Sequence, residues 1–355
     1  MIPLYKPYMP NLPELNDILY SGSIAYGRYA REFEKSLSSY IDEPYIMAVN
    51  TFASAVSVAL FTLGITFGDE VLASPMACLA STQPLVTHGV KVVWADVDPR
   101  TGTLSPDSVR ERITAKTKLI VHNHFCGILG YIDEINAIGK EYGIPVMDDG
   151  IEAFGGLYKG CTLGHLGTDI TVFSFNAVRM LNTIDGGAIV FKDKGLYERA
   201  ILVRDCGIDR SRFRDQLGEI DSNCDIAIPG MSATISDVNG YIGLCQLRDI
   251  DGILEKQRAN AKYWDAYFAE NCEAEPIASE QCMYNYWVYP ILAKDKTALL
   301  QAFRARGYYA SGVHADNSRY SVFGETPYAL PGADDFNNRF LALPCGWWME
   351  GVSLA

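Results

Sequence analysis

The sequence has no apolar run approaching the roughly 20 residues that cross a bilayer, and its first residues, "MIPLYKPYMPNLPELND", lack a basic stretch followed by an apolar one. Neither a membrane span nor a secretory leader is expected, and the protein reads as cytoplasmic. Positive charge is also scarce: 30 Lys and Arg stand against 43 Asp and Glu, a formal charge of −13. That balance argues against nucleic-acid binding through a general basic field. It leaves room for a local cationic pocket, because an anionic ligand needs only a few donors. The nine cysteines are odd in number, scattered, and without CxxC pairs or Cys/His ligand spacing, so no disulfide framework or metal site is expected. Internal repeats, low-complexity segments and long linkers are missing as well.

What is present is a globular composition, 48% hydrophobic and 21% charged, over 355 residues. That length exceeds a single core and predicts a large domain over 1–240 and a smaller one over 241–355. From about 45 to 200 strand-like and helix-like segments alternate. "YIMAVN" leads into "ASAVSVALFTLGI", "EVLASP" precedes "CLASTQPLVTHG", "VKVVWADVD" precedes "SPDSVRERI", and "KLIVHNHFCG" precedes "YIDEINAIGKEYG", with "IPVMDDG" after it. Val- and Ile-rich strands each followed by a helix predict an α/β domain with a mostly parallel sheet covered on both faces. Ser105 with Pro106 reads as a helix start and Gly143 as a helix stop. A helix is expected over 236–267, leading into a small C-terminal α+β domain.

Seven stretches in order, "SGSIAYGRYAREFEKSLSSYI", "GDEVLASPMACLAST", "KVVWADVDPRTGTLSPDSV", "IPVMDDGIEAFGGLYKG", "GTDITVFSFNAVRMLNTIDGGAIV", "SDVNGYIGLCQL" and "ASGVHADNSRYSVF", cover nearly the whole chain. Together they resemble the DegT/DnrJ/EryC1/StrS family of sugar aminotransferases, and "SPMACLAST", "WADVDPRTG" and "GVHADNSRYSVF" are most similar to its perosamine-synthase-like branch. The resemblance implies the aspartate aminotransferase (type I) fold, pyridoxal 5′-phosphate (PLP) or its amine form (PMP) as cofactor, and a nucleotide-linked keto-deoxy sugar as substrate.

That cofactor needs a carboxylate to hold its pyridine nitrogen protonated. Asp149 in "VMDDGIEAF" stands at the family's position for it, at the carboxyl end of a predicted strand. A turn-capping role is the competing reading, and Asp148 reads as a structural or solvated neighbour. Ser174 in "FSF" matches the serine that binds the phosphate, although a Ser there also suits a turn. The other half of the phosphate cup departs from the family's Ser-Gly-Thr-Ala-Ala: in "TFASA" Phe52 replaces the glycine, Ala53 replaces the hydroxyl, and Ser54 is a partial substitute. In "GMSATISD" Ser232 stands where a partner subunit's asparagine completes the cup. Glu152 occupies a position commonly Gln or His against the cofactor's 3′-oxygen, where an ionised carboxylate would repel.

The departure with the largest chemical consequence is in "FSFNAVRMLNTIDGG", which aligns without a gap on the family motif and places Arg179 on the Schiff-base lysine. A guanidinium keeps the charge but is never the free amine an imine requires, and it is a very poor base at neutral pH. Any cofactor is therefore expected to be held non-covalently. Cys78 lies where the family packs a side chain over the cofactor ring, or is plain core. His314, Asn317 and Tyr320 are at positions lining the sugar-nucleotide pocket in relatives, and Tyr26 and Arg28 lie in an N-terminal turn that approaches the nucleotide there or is simply solvated. His122 and His124, two apart on one strand face, favour packing or hydrogen bonding over metal.

Two readings follow. In one, an enzyme of nucleotide-sugar metabolism uses PLP or PMP with altered chemistry. In the other, the chain is a non-catalytic binding or regulatory member, or the partner of an active paralogue. The resemblance implies a homodimer, with a heterodimer under the second reading.

Overall fold

The computed structural model describes residues 1–349. Its central sheet has seven strands in the order Ile46–Val49, Gly187–Phe191, Ile170–Ser174, Val146–Asp149, Thr117–Asn123, Glu70–Ala73 and Lys91–Trp94. The last five of these pair in parallel, while Gly187–Phe191 runs antiparallel to both its neighbours. Parallel strands need crossovers, and helices Leu79–Thr87, Pro106–Arg112 and Ile132–Tyr142 supply them. The predicted mostly parallel α/β sheet is thus present. Val146, Met147, Asp148 and Asp149 are all buried, as the inner strand of a sheet covered on both faces requires.

The local signals act as expected. Ser105 caps its helix by accepting from Ser108 N, with Pro106 in the first turn. Gly143 ends the next helix at φ 65°, a left-handed position where glycine carries no Cβ penalty.

The helix expected over 236–267 runs from Asp237 to Glu270 and is capped by Ser236. Its first half packs on the large sheet's covering helix Arg28–Ile41, where a Cβ on Gly240 would come within 2.6 Å of Ala30. Its second half gives Ala261, Trp264 and Phe268 to a separate core under the antiparallel strands Ala274–Pro276, Tyr289–Ala293 and Phe340–Leu343. The boundary expected at 240/241 therefore falls inside one continuous helix that serves both cores. Among the described residues no helix is long and apolar enough to cross a membrane.

Candidate active site

Three adjacent strands end on polar residues at their carboxyl ends, where ligands of open α/β sheets bind: Asn123, Asp149 and Ser174. Parallel register sets Asn123 beside Asp149. Asp149 is 1% exposed. Its Oδ2 accepts from Asn123 Nδ2 at 2.7 Å and its Oδ1 from Ile151 N at 3.1 Å. Burial raises the Asp149 pKa, the nearby Glu152 charge adds to this, and the nearby Ser81 hydroxyl and the Asn123 hydrogen bond only partly oppose it. Among the described residues it makes no ion pair.

Asp148, one residue earlier and on the opposite sheet face, contrasts with it. Its carboxylate accepts from His122 Nδ1 at 3.1 Å and from the Thr168 hydroxyl at 2.6 Å, with His124 Nε2 3.3 Å away. Burial would raise its pKa, but the two histidines outweigh burial and hold it well below the usual carboxylate range. His122, His124 and Asp148 offer three donor atoms within 4.8 Å of one another. However, His124 Nδ1 accepts from Gly130 N, which leaves the ring proton on Nε2 facing Asp148. In this arrangement both imidazoles are turned toward the Asp148 carboxylate, His122 through Nδ1 and His124 through Nε2.

On the other side of Asp149, Ser174 pairs in register with Gly187. A Cβ on Gly187 would lie 2.8 Å from Phe173 O, 3.2 Å from Thr51 O and 3.3 Å from Phe52 Cα, so glycine relieves crowding where the helix Phe52–Leu63 begins beside the sheet. Thr51 caps that helix by accepting from Ser54 N at 3.0 Å, and its hydroxyl donates to Ser54 Oγ at 2.9 Å. Phe52 is buried and Ala53 is exposed, so the second residue of the helix faces outward. The Ser174 hydroxyl accepts from Asn176 N at 3.3 Å. Ser232 bridges Asp205 through its backbone, and its carbonyl accepts from Asn50 Nδ2, one residue before Thr51 in the same chain.

Arg179 lies in the turn after Ser174, its N–H bonded to Asn176 O. Its Nη1 donates to Glu152 Oε1 at 3.0 Å, and His314 Nε2 reaches the same oxygen at 2.7 Å. Glu152 Oε2 accepts from Cys126 N at 2.8 Å, and Cys126 holds φ 53° to present that N–H, a costly conformation for a residue other than glycine. Burial would raise the Glu152 pKa, but His314 and then Arg179 outweigh it and bring it down to about 2. Glu152 is thus an ionised group neutralised inside the protein, which removes the unpaired negative charge expected beside a phenolate. The guanidinium lies over the Trp287 ring, 5.0 Å from its centroid, and the indole N–H donates to Val178 O at 2.7 Å. Its Nη2 lies 3.9 Å from Cys78 Sγ.

The structure therefore brings Arg179, Glu152, His314 and Cys78 together, beside Asp149. Other expected pocket residues differ. Tyr26 donates to Glu34, which also pairs with Arg204, and burial followed by the Glu34 charge pushes the phenol up to about 12. It belongs to a buried charge network, whereas Arg28 is exposed and paired with Glu32. Asn317 is 1% exposed, with its amide donating to Ala77 O and Thr82 Oγ1, so it braces the Cys78 segment instead of facing a pocket. Tyr320 is exposed at the end of a short 3₁₀ turn. Sequence reading missed Asn123 and Trp287: the first sits among the histidines of "VHNHF", and the second is about 110 residues from the arginine it supports.

A model of the DegT/DnrJ/EryC1/StrS aminotransferase family matches residues 10–353. Among solved structures, the sugar aminotransferase CalS13 from Micromonospora echinospora is 28% identical, with 99% of this chain and 96% of that one covered at a TM-score of 0.92. AtS13 from Actinomadura melliaura is 30% identical over 99% and 95% of the two chains, also at 0.92. Spr1654 of Streptococcus pneumoniae, in its PMP form, has the same fold at a TM-score of 0.88 and 23% identity over 99% and 96%. With the parallel sheet, the polar strand ends and a family match along nearly its whole length, the chain belongs to the DegT/DnrJ/EryC1/StrS aminotransferase family.

Proposed function

We propose that the protein binds PLP or PMP without a covalent bond and acts on a nucleotide-linked keto-deoxy sugar. The observation that carries this reading is Asp149: a fully buried carboxylate at a strand's carboxyl end, hydrogen-bonded by Asn123 and the Ile151 N–H, with no ion pair among the described residues and a raised pKa. A protonated pyridine nitrogen is the partner such a group lacks, and it sits where ligands of this fold class bind. The donor set on the phosphate side fits as well. Ser174 and the outward-facing start of helix Phe52–Leu63 converge across Gly187, and helix N-termini favour anions. When bound, the cofactor supplies an electron sink for proton transfer next to an amine. Asp149 holds the ring nitrogen's proton, and Asn123 fixes that carboxylate. Arg179, tied to Glu152 over Trp287, orients charge near the reacting end but offers no basic nitrogen to move a proton. His314, half-buried against Glu152, sets Nε2 2.7 Å from Glu152 Oε1 at that end of the site.

A second reading, a non-catalytic member, is favoured by the ion triad itself. Glu152 is paired with Arg179 and held by His314 and the Cys126 N–H inside the protein, so its charge is already met near the lysine position. The two readings part on one experiment. Purified protein dialysed against PLP or PMP should retain about one equivalent, released on denaturation and seen by absorbance and mass. Protein that stays folded and retains neither at saturation overturns the first reading. Thermal protection by a panel of UDP-, GDP- and dTDP-sugars tests the substrate class, and His314→Ala should abolish it.

A further inference from the structure

The Arg179 guanidinium is only partly satisfied. Its Nη1 serves Glu152, but among the described residues its Nε–H is buried without a partner, and its Nη2 meets only the Cys78 thiol at 3.9 Å. The side chain is 8% exposed, and a buried donor left unmade is costly and uncommon. Nε and Nη2 form one edge of the planar guanidinium, the edge that receives a carboxylate in the Arg210–Asp205 pair of this same chain. The plane is not free to swing. Trp287 holds its face, Glu152 holds its other end, and Cys126 N–H holds Glu152.

We infer that the Nε–Nη2 edge of Arg179 is a recognition site for a planar carboxylate on a small-molecule ligand. A fixed guanidinium fork matches a carboxylate with two parallel hydrogen bonds, and orientation is already set by the stacked ring and the ion pair. A neutral hydroxymethyl or amide in that place offers at best one bond and no charge. The residue that removes lysine chemistry thereby adds selectivity for an acid. The chemistry has two sources here: the α-carboxylate of an amino acid, or the carboxylate of a uronic-acid sugar nucleotide. The inference rests on the proposal that this cleft holds a small molecule, and is silent on whether the cofactor is present.

The test titrates the full-length protein with L-glutamate against its α-amide, and with UDP-glucuronate against UDP-glucose, following heat and tryptophan fluorescence. In one arm the acid should bind about tenfold to a hundredfold tighter than its neutral counterpart, the range of a charge-assisted bidentate contact. Arg179→Lys, which keeps the charge and loses the fork, should erase that preference. The arm that responds names the source. Equal affinities in both arms overturn the inference, since a trapped water then satisfies Nε, and so does a preference that survives Arg179→Lys. The comparison of acid with neutral ligand in the unaltered protein stands even if the variant misfolds. Cofactor retention measured in parallel separates the two proposals: PLP or PMP retained without acid preference refutes only this one, and acid preference without retention refutes only the cofactor reading.

Discussion

Replacing Arg179 by methionine keeps an apolar stem over Trp287 and deletes the guanidinium, leaving Glu152 ionised at 2% exposure with His314 and the Cys126 N–H as its remaining partners. Breaking a buried ion pair from one side costs about 3–5 kcal/mol. His314 and the Cys126 N–H remain on Glu152, so the expected loss is about 3 kcal/mol, the lower end of that range. Glu152→Gln alone strands the guanidinium instead and should cost a similar amount. The double variant removes both charges. The glutamine side-chain carbonyl introduced there can still accept from Cys126 N–H, and the double variant should lie closer to the unaltered protein than either single one, with a coupling of about 2 kcal/mol. Urea unfolding followed by tryptophan fluorescence and far-UV dichroism together reads this out, two probes being needed because the described residues form more than one core. If Arg179→Met shifts stability by less than about 0.5 kcal/mol, as an exposed pair would, the buried-triad argument fails. Strict additivity of the two single losses would sink it equally.

Arg179→Lys should permit borohydride-trappable attachment of PLP, seen as a mass increase. No trapped adduct with PLP in excess would mean that Phe52 and its neighbours, not the missing lysine, prevent binding. Asp149→Asn should lower cofactor retention at least about tenfold, as loss of a hydrogen bond to a charged group predicts. Because the folded-state pKa of Asp149 is raised, its contribution to stability is present at acid pH and lost as pH rises through that pKa. The melting temperature of Asp149→Asn relative to the unaltered protein should therefore rise from pH 4 to 8, and a flat or falling difference refutes the assignment. The cluster below works in the opposite sense. Asp148 has a depressed pKa and buried His122 a lowered one, so both contributions are held at neutral pH and lost as pH falls. Acid unfolding should move to higher pH in Asp148→Asn, whereas an unchanged acid midpoint would show that the cluster does not govern it.

The parallel sheet was legible because its signals are local: Val- and Ile-rich strands, Ser105 and Gly143 at helix ends, and a period that switches between strand and helix. The place of Asp149 and Ser174 at strand ends was legible because an apolar run that stops at a polar residue marks where a strand emerges. What sequence could not supply was pairing at a distance. Glu152 read alone is a repulsive group beside a phenolate, and Arg179 read alone is a lost lysine. Only the fold, which brings "DDGIEAF", "FNAVRMLN" and "GVHADN" to one point, shows that each departure answers another. Tyr26 and Asn317 erred in the other direction: a loop with polar residues suits a pocket on average, but Glu34 and the Ala77 carbonyl claim these two. The same logic says what the triad requires. Arg179 without Glu152 would be a buried guanidinium short of a carboxylate, and Glu152 without Arg179 a buried carboxylate held only by His314 and the Cys126 N–H, so each charge makes the other tolerable at this depth.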